Sequence, residues 1–156
     1  MRISEQFVAV PLIEAKDYGA AGVDADSVHM GKLNSLSAFL VFGAITGDSV
    51  LKVYCGATAG TKTTAIAFNY RLGAADFKVN LADQFGDAIA VASTGLTLTA
   101  ATFDHRQVAI EIDSDTVLEG KPWLTIEISS VANPILVRAV GIGSPRHVGD
   151  LVPTVI

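Results

Sequence analysis

Apolar and polar residues alternate along this chain with a period of two far more often than they recur every three or four positions. In QVAIEID (107–113), Val108, Ile110 and Ile112 share one parity, and Gln107, Ala109, Glu111 and Asp113 share the other. WLTIEIS (123–129) repeats the pattern, with Leu124, Ile126 and Ile128 set against Thr125 and Glu127. Such alternation marks a half-buried strand, because successive side chains point to opposite faces. Comparable runs cover 7–12, 38–45, 49–55, 63–72, 95–100 and 135–142, which gives about eight strands in all. Between them lie TGDS (46–49), GATAGT (56–61), LEGKP (118–122) and VANP (131–134), which are turn sequences. Short turns join antiparallel neighbours. The expected fold is therefore all-β: a jelly-roll-like β-sandwich of about eight antiparallel strands with an extended N-terminal arm.

Two segments depart from the alternation. Residues 1–35, which include DYGAAGVDADS, read as the arm, and 36–156 as the sandwich domain. The arm carries Phe7, Val8, Val10, Pro11 and Leu12, an apolar set that an isolated arm cannot bury, so these residues are expected to bind a neighbouring subunit. Residues 72–94 read as a long crossover, with a turn or two of helix around Ala74, Ala75, Leu81 and Ala82.

Composition narrows the functional classes. Of 156 residues 50% are hydrophobic and 17% charged, with mean hydropathy +0.45, whereas an ordinary domain is about 25% charged. So little charge points to surface hidden between subunits, hence to a homo-oligomer or larger assembly. The longest apolar run, 38–45, is broken by Gly43 and is far shorter than the roughly 20 residues that span a bilayer. No membrane partner is expected. The amino terminus carries Glu5 and Pro11 without an unbroken apolar stretch, so a cleaved signal peptide is not expected. Net charge is −5 with no basic stripe, which argues against nucleic acid. Cys55 stands alone and can form neither an internal disulfide nor a Cys-x-x-Cys pair.

The candidate chemical motifs fail on spacing. GATAGTKTT (56–64) approaches the phosphate-loop pattern, yet Thr61 intervenes before Lys62 and a strand follows where a helix is required. It reads as a hairpin loop. His29, His105 and His147 share no metal-binding frame and read as solvated or capping residues. Ser144 lies near His147, but Pro145 directly after the serine removes an amide that an oxyanion site needs. Cys55 falls on an apolar face with Leu51 and Val53, as a buried small hydrophobe does. The densest acids are Asp113, Asp115 and Glu119. A calcium loop starting at Asp113 requires ligands at its fifth and twelfth positions and glycine at its sixth, where Val117, Leu124 and Leu118 stand. They read as the end of a strand and the loop after it. No cofactor and no catalytic site are expected, which leaves open whether Glu111, Asp113 and Glu127 on the polar face meet water or a partner.

RQVAIEIDSDTVLEGKPWLTIEISS (106–130), ILVRAVGIGSPRHVGD (135–150) and the closing PTVI resemble small capsid decoration, or cement, proteins of tailed bacteriophages. SVLKVYCGATAGTKTTAIAFNYRLGAADF (49–77), a hairpin followed by YR, is similar to the same group. The resemblance implies a β-rich, non-enzymatic virion protein. It would sit on the capsid exterior, bind the major capsid protein, assemble with itself as a homo-oligomer (dimer or trimer), and clasp a neighbour or a capsid subunit with its arm around Phe7 to Leu12. The alternative expectation is a carbohydrate- or host-surface-binding module of a phage fibre or tail, with Trp123, Tyr54 and Tyr70 exposed on one face.

Overall fold

The computed structural model describes residues 6–18, 21–74, 84–129 and 135–147. Its strands are β1 (Val8–Asp17), β2 (Val23–Asp24), β3 (Val28–His29), β4 (Leu33–Ile45), β5 (Ser49–Gly56), β6 (Thr64–Ile66) and β7 (Phe68–Leu72). Then come β8 (Ile89–Val91), β9 (Leu96–Leu98), β10 (Gln107–Asp113), β11 (Trp123–Ile128) and β12 (Ile135–Pro145), with the four-residue helix α1 (Ala100–Phe103) ahead of β10. The pairings are antiparallel and build two sheets. The first runs β1-β12-β4-β10-β7-β8. The second runs β2-β11-β5-β6, with β3 beside β11 and β9 beside β5. The expected all-β sandwich is what forms.

The core lies between the sheets. Leu36, Leu40, Phe42 and Ile110 from the first sheet meet Leu51, Val53, Ile126 and Ile128 from the second, all essentially without exposure. The alternating residues read from the sequence are thus the inward set. The continuous run expected over 63–72 divides at Ala67. Ile66 and Phe68 both stay buried while the chain passes from the second sheet to the first, so one apolar stretch serves both. In the crossover, 89–91 adds an edge strand to β7. Ala74 lies in a bend, and Ala75, Leu81 and Ala82 fall outside the described residues.

The amino-terminal segment corrects the expectation of an arm outside the body. Val8–Asp17 is extended, but it pairs along β12 as an edge strand of the first sheet, with irregularities of register between Pro11 and Ile13 and between Ile13 and Lys16. Val23–Asp24 and Val28–His29 join the second sheet. Val10 and Leu12 are buried in the chain's own core, Phe7 and Val8 are half-buried, and Pro11 is exposed. The apolar residues assigned to a neighbour are thus largely satisfied internally. Their partner strand lies more than a hundred residues away, and hydrophobic burial drives that pairing as it would an intermolecular one.

In β12 the inward set is Ile135, Val137, Ala139, Gly141 and Gly143, and the outward set includes Leu136, Val140 and Ile142, so both parities are mainly apolar. The glycines distinguish them. A Cβ at Gly143 would lie 2.7 Å from Leu33 Cδ1, and one at Gly141 would lie 3.1 Å from Leu36 Cδ1.

Two outcomes follow in chemical denaturation. Leu12→Ala should destabilise the fold by about 2–5 kcal/mol while Pro11→Ala costs less than about 0.5 kcal/mol; equal, small effects would mean that β1 does not dock. Gly143→Val should cost about 1–3 kcal/mol by overpacking against Leu33, and a neutral result would contradict the close approach.

Candidate interaction surface

The acids of residues 113–119 do not gather into one site. Asp113 ends β10 and is exposed, Asp115 sits in the 3-10 turn Ser114–Thr116, and Glu119 lies in a tight turn. That turn is closed by the Lys121 amide donating to the Leu118 carbonyl (3.0 Å), with Gly120 at φ 74°. Glycine takes this left-handed conformation without penalty. Among the described residues no three His, Cys, Asp or Glu side chains are grouped so as to hold a metal ion. Cys55 is buried, its thiol 3.6 Å from the Thr64 carbonyl oxygen. His29 packs edge-on against Trp123 with ring centroids 4.9 Å apart, which places it against an aromatic ring where a solvated residue was expected. His105 lies beside Asp104 at 3.7 Å, and His147 is exposed.

The loop GATAGTK is a hairpin connection that folds onto the outer face of the second sheet. The Thr61 hydroxyl donates to the Thr58 carbonyl (2.6 Å), and Gly60, at φ 77°, donates its amide to Ser27 Oγ (2.8 Å). Ser27 Oγ in turn shares a 2.8 Å hydrogen bond with Thr125 Oγ1, so both buried hydroxyls are satisfied. Lys62 reaches down from the same loop to Asp24 (2.9 Å) and Glu127 (3.3 Å), with its ammonium 6.0 Å from the centre of the Tyr54 ring. Glu127 therefore meets a lysine of its own chain. The hydrogen bond to Asp24 raises the Lys62 ammonium above its ordinary 10.5, helped by the charges of Asp24 and Glu127 and opposed by partial burial.

The three aromatics expected as a sugar platform are dispersed. Tyr70 is turned into the core, 6.3 Å from the Phe103 ring. Trp123 and Tyr54 lie on the other sheet, engaged with His29 and Lys62.

The outer face of the first sheet has a different character. Register sets Pro11, Val140, Phe39 and Ala109 side by side across β1, β12, β4 and β10. Phe85, from the crossover, tilts against Phe39 with centroids 6.2 Å apart. One row along lie Arg138, Val41 and Gln107, and beyond them Leu136 lies against Gly43. Leu136 and Val140 are 45% and 46% exposed, far more than isolated core-strand residues would be. Beside them a hollow of about 470 Å³ is lined by Ala15, Val41, Gly43, Leu136 and Arg138. Glu111 ends the polar margin, paired with Arg71 at 3.2 Å.

Sequence reasoning misses this surface, although a signal for it is present. In ILVRAVGI the outward parity holds Leu136, Val140 and Ile142 with Arg138 as its one charge. A strand apolar on both parities is either enclosed between two layers or apolar where it meets solvent. Of the predicted contact residues, Pro11 belongs to this face; Val10 and Leu12 point away from it.

No protein-family model matches the chain, and comparison with the curated proteins gives no match. Among solved structures, the crystal structure of the SPBc2 prophage-derived protein YomS aligns with 87% of this chain and 92% of its own, at 13% identity and TM-score 0.44.

Because the folded-state value of Lys62 is raised, its pairing stabilises the protein fully below the unfolded lysine value of 10.5 and is lost as pH climbs through the higher folded value. Lys62→Met should therefore lower stability by up to about 1 kcal/mol near neutral pH. The difference from wild type should vanish in strongly alkaline buffer, and a difference that grows with pH in paired urea titrations would contradict the pairing.

Proposed function

We propose that this chain is a non-enzymatic structural protein of a phage particle, which binds the outside of the head and stabilises it. The observation that carries the reading is the broad apolar face on β1, β12, β4 and β10, in a protein with only 17% charged residues. A face of that kind works by contact with another protein. The resemblance of 49–77, 106–130 and 135–150 to decoration proteins gives that contact a setting.

The mechanism is mass action. A protein that binds the assembled lattice and not its free subunits adds its binding free energy to the lattice. Joined copies attach through several sites at once, which raises the effective affinity without stronger individual contacts.

The test is co-sedimentation of purified protein with heads of its own phage from which it has been left out, alongside immobilised glycans. Retention on the heads, with a rise in their disruption temperature, is the expected result. Binding to glycans and not to heads would overturn the proposal, as would heads whose disruption temperature is unchanged at saturating protein.

A further inference from the structure

We infer that a second copy of this chain covers the outer face of the first sheet, in a two-fold pair centred on Phe39. The two outer faces of the sandwich differ in what already lies on them. The second sheet carries contacts of its own chain, the 57–62 loop bonded to Ser27 through Gly60 and the Lys62–Asp24–Glu127 pairing. The first sheet leaves Leu136 and Val140 exposed on its outer face. A contact between two copies of one surface requires that the surface be complementary to itself.

Charge placement supplies the symmetry. Arg138 lies one strand to one side of Phe39 in the row of Val41, and Glu111 lies one strand to the other side in the row of Ser37. Phe39 is therefore midway between them. From ordinary strand spacing, Arg138 and Glu111 of one copy are about 17 Å apart, each about 8 Å from Phe39. A two-fold axis lying between the facing sheets, through Phe39 and perpendicular to the Arg138–Glu111 line, exchanges the two positions. Each Arg138 then faces the other copy's Glu111, and the apolar rows of the two copies cross at Phe39. The strands cross at roughly 70°, nearer the orthogonal class of sheet packing than the aligned one. Arg138 is exposed and has no ion-pair partner among the described residues, so it is available. Glu111 already holds Arg71 and retains lone pairs for a second donor.

Size agrees with a second copy of this chain. Four strands by about eight residues give on the order of 500 Å² in plan, and side-chain relief raises the area available toward the roughly 800 Å² per partner of a standard interface. Area does not by itself set affinity, and the expectation for a pair with few buried anchors is the weak, micromolar end of what interfaces of this size show.

This pairing rests on the reading of the face as a protein contact and is independent of the head. Sedimentation equilibrium of the full chain in about 0.15 M salt should show a monomer–dimer equilibrium with Kd of roughly 1–100 µM. Arg138→Glu should weaken it at least about tenfold, and so should Glu111→Lys. The double variant Arg138→Glu/Glu111→Lys should return to within a few-fold of wild type. Rescue within one chain is not expected, because about 17 Å exceeds the screening length of about 8 Å. Val140→Asp should abolish dimers with the thermal transition retained; if that variant fails to fold, the charge exchange alone decides.

A folded chain that stays monomeric at about 200 µM, above the Kd range expected for an interface of this size, would overturn the inference, as would a dimer indifferent to Arg138→Glu. Head binding by such a monomer, lost in Val140→Asp, would assign the face to the capsid protein instead. Dimers that fail to bind heads would leave the pairing standing and remove the proposed function.

Discussion

The register between β4 and β12 decides which side chains this protein buries and which it presents. Strands have a side-chain period of two, so a slip of one residue would exchange the two faces of β12. Hydrophobicity alone would hardly resist the slip, since Ile135, Val137 and Ala139 on one parity are matched by Leu136, Val140 and Ile142 on the other. Gly141 and Gly143 provide the discrimination, because only their parity leaves room for Leu33, Leu36 and Leu12 to close against the strand. With that register set, β1 adds to the free edge of β12 and β10 to the far side of β4. The row Pro11, Val140, Phe39 and Ala109 follows as a geometric consequence.

The two sheets then divide the work. The second bears contacts of its own chain on its outer face, a hairpin loop held through Gly60, Ser27 and Thr125 and the pairing of Lys62 with Asp24 and Glu127. The first is complete as a core layer and incomplete as a surface. Its outward side buries Ala109 and half-buries Phe39 and Val41, while leaving Leu136 and Val140 in solvent. In a protein with few charges, that asymmetry is where a partner gains most by excluding water.

Much of the architecture is legible from alternation. The strands read at 38–45, 49–55, 107–113, 123–129 and 135–142 correspond to β4, β5, β10, β11 and β12, because their core parity carries no charged residue. The early start of β4 is hidden by Asn34, Ser35 and Ser37, although Leu33 and Leu36 are fully buried. The amino-terminal segment misleads for a nonlocal reason: Val10 and Leu12 announce burial, but nothing near them says that β12 supplies the partner. The charged contacts are equally out of reach. Arg71 and Glu111 are 40 residues apart and Lys62 and Asp24 are 38 apart, and each pair meets only through tertiary structure. The outer apolar face is written plainly in ILVRAVGI, but a doubly apolar strand is more readily taken for a fully enclosed one.

Whether two copies meet face to face at Phe39 is tested most directly with a short thiol cross-linker. Facing sheets lie about 10 Å apart, within reach of a bis-maleimide of similar span, and buried Cys55 offers no competing thiol. Phe39→Cys, on the two-fold axis, should be trapped as a covalent dimer in high yield. Lys52→Cys, on the outer face of the second sheet, should remain monomeric under the same conditions. Cross-linking of the Lys52→Cys variant and not of the Phe39→Cys variant would place the contact on the wrong sheet and contradict the account.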